Sequence, residues 1–286
     1  MTAEKYAVAL GMFDGVHIGH KEVLRGAVDS AYKSVAVTFC ALPGKSGGSI
    51  MTSAEKEKKL LEFGINEVLF LDFFRVKDLS PEEFLETLSK KYNIAKICCG
   101  FNYRFGKKAA GDTKFLRDWC KNRGIELFEC PEVLYEGETV SSTYIKKLIA
   151  SGEIEKANTL LGDEFSFTAD VAHGDKRGRV LGFPTANQLY PQAKATPKLG
   201  VYQTVVRVDG ETYDGVTNIG VRPTYVTDYI SAETYILDYD GDCYGKNVET
   251  KLIKFLRDEK KFTSKEELIK AIDENAQQVR KNRRFF

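Results

Sequence analysis

The stretch Gly11–His20 reads Gly-Met-Phe-Asp-Gly-Val-His-Ile-Gly-His and holds two of the chain's three histidines. His17 and His20 lie three residues apart, close enough to face one bound group. Gly11, Gly15 and Gly19 let the backbone turn tightly and approach a ligand. The string follows an apolar run, Tyr6–Leu10, and leads into a helical pattern over Lys21–Tyr32. A helix N-terminus offers free N–H groups and partial positive charge, which suits phosphate. An ordinary strand-turn-helix with surface histidines is the competing reading of an HxGH alone. Phe13 and Asp14 in place make the full string more specific.

A second string, Gly174-Asp-Lys-Arg-Gly-Arg-Val-Leu-Gly-Phe-Pro-Thr-Ala-Asn187, carries different chemistry. Gly174, Gly178 and Gly182 alternate with Lys176, Arg177 and Arg179, giving a flexible cationic loop fit to wrap phosphates. Thr185 and Asn187 place a hydroxyl and a carbonyl oxygen on one side of an extended chain. Such neutral hard oxygens suit a Mg²⁺ that keeps most of its waters and borrows ligands from nucleotide phosphates. The spacing is not that of a P-loop, which needs GK[ST].

Two further strings fall at predicted strand ends. Gly100–Gly106 presents Asn102 and Arg104, and Val140–Lys146 presents Ser141, Ser142, Thr143 and Lys146. Taken alone, the first reads as a turn and the second as helix N-cap residues. Glu233 alone reads as a solvent-facing strand residue. No Ser-His-Asp or Cys-His set argues for a covalent enzyme intermediate.

The elements that must position these residues change character along the chain. In the first half strand-like runs alternate with helices: Ser34–Phe39, Glu67–Leu71, Ala95–Cys99 and Glu126–Cys130 are the later strands. Thr52…Glu55 and Ser80-Pro81-Glu82-Glu83 are capping boxes opening helices, and Gly64 and Gly124 stop helices. This alternation predicts an open parallel α/β sheet with its ligands at the carboxyl ends of strands. Beyond Leu161-Gly162-Asp163 the runs alternate with period two: Tyr202–Val208, Tyr213–Ile219, Glu233–Leu237 and Val248–Phe255. Asp209-Gly210 signals a hairpin, and Ser264…Glu267 opens a last helix to about Lys281. Many strands with one closing helix predict a small antiparallel β-barrel. The expected domains are 1–162, Rossmann-like, and 163–286, the barrel.

At 286 residues two domains are the prior expectation, and a formal net charge of +1 argues against a nucleic-acid partner. The six cysteines, at 40, 98, 99, 120, 130 and 243, show no CxxC or metal-ligand spacing and read as reduced thiols. Neither a signal-peptide h-region nor an apolar run of membrane-spanning length occurs, so a cytoplasmic protein without a membrane partner is expected. Homo-oligomer formation stays open.

With the strings in order, a family resemblance emerges. Residues 5–162 resemble the FAD synthetase (FMN adenylyltransferase) module of the bacterial bifunctional riboflavin kinase/FAD synthetases. The resemblance implies that His17 and His20 bind ATP phosphates and that Asn102 and Arg104 help fix the flavin phosphate or nucleotide. It also implies that Ser141, Ser142, Thr143 and Lys146 close over the triphosphate. The second half resembles riboflavin kinase through Gly174–Asn187, Gly200-Val-Tyr202, Gly215–Thr224, Glu233-Thr234, Tyr244-Gly245 and Arg257–Phe262. By resemblance Thr185 and Asn187 hold Mg²⁺–ATP, Glu233 is the general base for the ribityl 5′-hydroxyl, and Arg257 lies near the flavin.

This chain has Cys40-Ala41-Leu42 where the family usually places an acid and a His-containing segment, and Lys146 in place of an Arg. Tyr235 stands for a usual His, and Ala271 and Asn275 for a usual Gln and Asp. The expected activities are riboflavin plus ATP to FMN plus ADP, then FMN plus ATP to FAD plus pyrophosphate. Two other readings remain at this point: a riboflavin kinase whose first domain only binds nucleotide, and a non-enzymatic flavin-nucleotide sensor or carrier.

Overall fold

The computed structural model describes residues 4–40, 47–172, 183–222 and 229–282. Its contacts cluster into two compact units, residues 1–144 and 145–286.

The first unit runs β1 (Tyr6–Leu10), α1 (Ile18–Val28), β2 (Lys33–Phe39), α2 (Ser53–Glu62), β3 (Glu67–Leu71), α3 (Phe73–Val76), α4 (Pro81–Lys91) and β4 (Ile94–Gly100). It continues with α5 (Thr113–Arg123), β5 (Glu126–Cys130) and a short hairpin of β6 (Leu134–Tyr135) and β7 (Glu138–Thr139). The five long strands form a parallel sheet in the order β3-β2-β1-β4-β5. The strand order reverses beside β1, because the chain builds outward through β2 and β3 before returning to β4. The crevice between β1 and β4 is therefore the switch point at which open α/β sheets bind ligands.

Side-chain alternation on β1 explains the layers. Ala7 and Ala9 face a core with Val23, Leu24 and Ala27 of α1 and Leu60 of α2. Val8 and Leu10 face the opposite core, with Phe84, Leu85 and Leu88 of α4 and Leu116 and Trp119 of α5. Thr52 and Ser80 cap α2 and α4 with full capping boxes, as their spacing predicts, and Gly124 ends α5 in the left-handed conformation. The first helix departs from the predicted Lys21–Tyr32. It starts earlier, at Ile18, because His17 itself is the N-cap, and it ends earlier, at Val28.

A helix α6 (Ser142–Ser151) follows the short hairpin, and the division between the units falls within it. The second unit then has α7 (Ile154–Leu161), β8 (Ser166–Ala172), β9 (Thr185–Leu189), β10 (Gly200–Val208), β11 (Glu211–Arg222), β12 (Tyr229–Ile236), β13 (Asn247–Arg257) and α8 (Lys265–Lys281). Six strands close into a barrel in the order β10-β11-β12-β9-β8-β13, every pair antiparallel. Asp209 and Gly210 both take positive φ, 52° and 88°, and make the two-residue turn of the β10–β11 hairpin.

The barrel interior is partly polar. Thr204, Thr217 and Thr234 form a chain of hydroxyl contacts at 2.8 and 2.9 Å, and Gln188 accepts from Thr250 at 2.9 Å. Ala276 and Val279 of α8 seal one side against Val201, Val216 and Leu237. Ser264 caps α8, while the Glu267 carboxylate accepts from the Thr263 N–H and hydroxyl. Among the described residues no helix is long and apolar enough to cross a membrane.

Candidate active sites

In the first unit the loop after β1 is shaped by an unusual backbone. Phe13, Gly15 and Val16 have φ of 48°, 88° and 41°. The strain at the two non-glycine positions is offset by complete burial of both side chains. A Cβ on Gly11 would lie 2.8 Å from the Phe13 ring, so glycine is required for close approach there. Asp14 works as a hub. Its Oδ1 accepts from the N–H groups of Ile50 (2.8 Å) and Met51 (3.3 Å), and its carbonyl accepts from Ser142 Oγ at 2.8 Å.

The two imidazoles stack with centroids 3.5 Å apart, and Phe13 sets its ring edge-on to His20 at 5.3 Å. His17 Nδ1 accepts from the His20 N–H at 3.2 Å. That contact puts the proton of a neutral His17 on Nε2, leaving an N–H donor. Burial pushes the His17 pKa down to about 4, with the Asp14 carboxylate opposing and Lys21 reinforcing the shift. Burial, then His17 and Lys56, hold His20 well below its ordinary value. His20 Nδ1 is buried, and among the described residues no hydrogen-bond partner reaches it. Neutral rings and an unpartnered nitrogen fit a site that receives hydrogen-bonding anionic oxygens.

The other predicted strings follow β4 and open α6. Phe101, Asn102 and Arg104 follow β4, the strand across the switch point from β1, and all three are exposed. Arg104 lies 3.7 Å from Asp112, the N-cap of α5. Ser141 Oγ accepts from the Tyr144 N–H at 3.2 Å and so caps α6, while Ser142 reaches Asp14. Thr143 is exposed, and Lys146 sits one turn further along α6.

Lys56 is a residue that sequence reasoning missed. It is 2% exposed, and its Nζ donates to the carbonyls of Met12 (3.0 Å) and Phe39 (2.8 Å). Thr38 Oγ1 adds a 2.8 Å bond to the same Met12 carbonyl. These contacts tie the loop to the end of β2. Cys40 is exposed just beyond; Ala41 and Leu42 lie outside the described residues.

In the barrel, register assembles the site. Asn187 of β9 pairs with Glu233 of β12, Glu233 with Asn218 of β11, Asn218 with Val201 of β10, and Val201 with Arg257 of β13. One cross-strand row thus links the predicted metal ligand, base and flavin-side residue. Thr185, Asn187 and Glu233 are half-buried, whereas their neighbours Ala186, Gln188 and Thr234 point into the barrel. The alternation puts Thr185 and Asn187 on one face, as predicted.

A cleft of about 370 Å³ opens beside them, lined also by Tyr239, Asp242 and Tyr244. Arg257 Nε donates to Asn275 Oδ1 of α8 at 3.1 Å, and burial lowers its pKa. Gly174, Lys176, Arg177, Gly178, Arg179 and Gly182 lie outside the described residues.

Arg222 is the second residue missed. Its Nε and Nη2 donate to Glu233 Oε1, and Nη2 also donates to Asn187 Oδ1 at 3.0 Å. Its only sequence signal is membership in the string Gly215–Thr224.

Comparison with known proteins matches both units. A family model for FAD synthetase matches residues 1–144, and one for riboflavin kinase matches residues 161–283. The bifunctional riboflavin kinase/FMN adenylyltransferase of Listeria monocytogenes is 34% identical, over 96% of this chain and 91% of its own length. The protein of the same name from Bacillus subtilis is 32% identical, over 96% and 92%. A crystal structure of a macrolide-efflux protein from Streptococcus pneumoniae superposes with a TM-score of 0.90 at 30% identity, covering 98% of this chain and 95% of that one. With two family models tiling its length and curated relatives matching it nearly end to end, the chain belongs to the bifunctional riboflavin kinase/FMN adenylyltransferase family.

Proposed function

We propose that residues 163–286 phosphorylate riboflavin at the Asn187–Glu233 face and that residues 1–162 adenylylate FMN at the Gly11–His20 loop. Both activities, with ATP as co-substrate and riboflavin and FMN as substrates, follow from the family. The presence of both family models favours this over a kinase carrying a nucleotide-binding-only first domain. The site residues are our assignment. The observation that carries it is the pairing of Glu233 with Asn187 on adjacent strands.

In the kinase step the riboflavin 5′-hydroxyl oxygen attacks the γ-phosphorus of ATP, and the bond to the β-phosphate oxygen breaks, releasing ADP. Glu233 takes the hydroxyl proton; a carboxylate within hydrogen-bond reach is what the step needs, because positioning does most of the work. Thr185 and Asn187 supply uncharged oxygens, and among the described residues no cluster of His, Cys, Asp or Glu could hold a metal by itself. That donor set fits a Mg²⁺ whose other ligands are waters and phosphate oxygens. When bound, the ion neutralises charge on the transferring phosphates. Arg257, held by Asn275, faces the flavin side.

In the adenylyl step a phosphate oxygen of FMN attacks the α-phosphorus of the second ATP, and pyrophosphate leaves. The attacking oxygen is already ionised, so no base is required. His17 offers its Nε2–H to the triphosphate, His20 lies stacked beside it, and the α6 N-terminus with Ser141, Ser142 and Thr143 adds backbone donors. Lys146, Asn102 and Arg104 add charge and hydrogen bonds around the phosphates of ATP and FMN. All six cysteines are free thiols, in keeping with a cytoplasmic enzyme.

The test is a time course of purified protein with riboflavin, ATP and Mg²⁺, with flavins separated chromatographically. FMN should accumulate first and FAD should follow. Absence of FMN overturns the kinase assignment, and FMN that never becomes FAD overturns the adenylyltransferase assignment.

A further inference from the structure

Arg222 bridges two side chains on which phosphoryl transfer depends. One guanidinium engages Glu233 Oε1 through Nε and Nη2, and the same Nη2 reaches Asn187 Oδ1 at 3.0 Å. Among the described residues no hydrogen bond reaches Glu233 Oε2. The carboxylate is thus pinned by one oxygen while the other is left to accept. The Arg222 and Glu233 side chains are 31% and 33% exposed, and an ion pair so open to water contributes little to stability. Its fork geometry is specific nonetheless, since a lysine has no planar fork with which to reproduce these contacts.

The contact to Asn187 has a consequence for nucleotide binding. A divalent cation at Asn187 Oδ1 and the guanidinium on the same oxygen repel each other. We propose that Arg222 is a positioning residue for riboflavin phosphorylation: it orients the Glu233 carboxylate and competes with Mg²⁺–nucleotide for Asn187 Oδ1. This rests on the assignment of Glu233 and Asn187 above. The two contacts then act in opposite directions. The bond to Glu233 raises turnover, and the bond to Asn187 weakens metal–nucleotide binding until it is given up.

The test uses the full chain with Arg222→Lys and Arg222→Ala. Mg²⁺–ADP binding is measured by titration calorimetry, FMN formation by kcat and KM, and folding by thermal unfolding. The expected result is a split. Binding of Mg²⁺–ADP tightens about threefold or more, since one competing hydrogen bond is lost. The kcat falls roughly 10- to 100-fold because the base loses its orientation, and the unfolding temperature stays near that of the parent.

Weaker Mg²⁺–ADP binding with kcat intact would make Arg222 a phosphate ligand and overturn the proposal. Unchanged binding and kcat, or a parallel loss of kcat, affinity and thermal stability, would overturn it as well. Glu233→Gln run alongside separates the two levels. If it abolishes FMN formation while the Arg222 variants match the parent, only this inference fails. If it retains full FMN formation, the base assignment falls and the inference with it.

Discussion

Ser142 Oγ donates a 2.8 Å hydrogen bond to the carbonyl oxygen of Asp14, joining positions 128 residues apart. The Asp14 carboxylate at the same time accepts from Ile50 and Met51. One residue of the β1 loop thus fixes both the start of α6 and the segment leading into α2. Ser142→Ala removes one hydrogen bond worth about 1 kcal/mol and frees the α6 N-terminus from the loop. FAD formation from FMN should fall at least tenfold if positioning matters as argued, while FMN formation from riboflavin stays at the parent rate. Separate assays of the two half-reactions check this.

Lys56→Met should be far more disruptive than its place in a charged helix suggests. The ammonium is buried and holds the carbonyls of Met12 and Phe39. Hydrogen bonds from a charged group are worth about 1.5–3 kcal/mol each, so the loss should be about 3 kcal/mol or more. Denaturant unfolding would measure it, and FAD formation should drop in parallel because the loop loses its anchor to β2.

The buried histidines make stability depend on pH. An unfolded His titrates near 6.5, and in the fold His17 is held at about 4. Above pH 6.5 both states are neutral and the native state carries no penalty. As pH falls from 6.5 toward 4, only the unfolded state gains the proton, so stability is lost through that window. The loss for His17 approaches about 3 kcal/mol at the acid end. His17→Gln should flatten the fall in melting temperature between pH 7 and 4. Equal slopes for parent and variant would contradict the burial argument.

Asn275→Ala should act on the flavin side of the kinase. It removes the oxygen that holds Arg257 Nε at 3.1 Å. The KM for riboflavin should rise several-fold, reflecting a lost contact of about 1 kcal/mol, with the KM for ATP little changed. Steady-state kinetics with each substrate varied in turn would separate the two.

Much of this architecture was legible from local pattern. Strand bounds at Tyr6–Leu10, Glu67–Leu71 and Glu126–Cys130 coincide with those observed. Caps and glycine stops are local chemistry, written in neighbouring residues. Function was legible through a family resemblance carried by the strings Gly11–His20 and Gly174–Asn187.

The rest depends on distant partners. Lys56 stands in the run Glu55-Lys-Glu-Lys-Lys59, which reads as a solvated face. Only the return of β2 beside β1 makes it a buried anchor. Arg222 lacks a local signal for its contacts, because Glu233 and Asn187 reach it through the pairing of β11 with β12 and of β12 with β9. The observed start of α1 differs from the predicted one because a histidine is not among the usual N-caps, yet His17 Nδ1 performs that task.

The most direct test of the two-site account is to give Glu233→Gln either riboflavin or FMN, with ATP and Mg²⁺, and follow FAD by chromatography. The account predicts FAD from FMN at the parent rate and no FMN or FAD from riboflavin. Loss of FAD formation from FMN in a folded variant, or FMN formation from riboflavin at the parent rate, would contradict it.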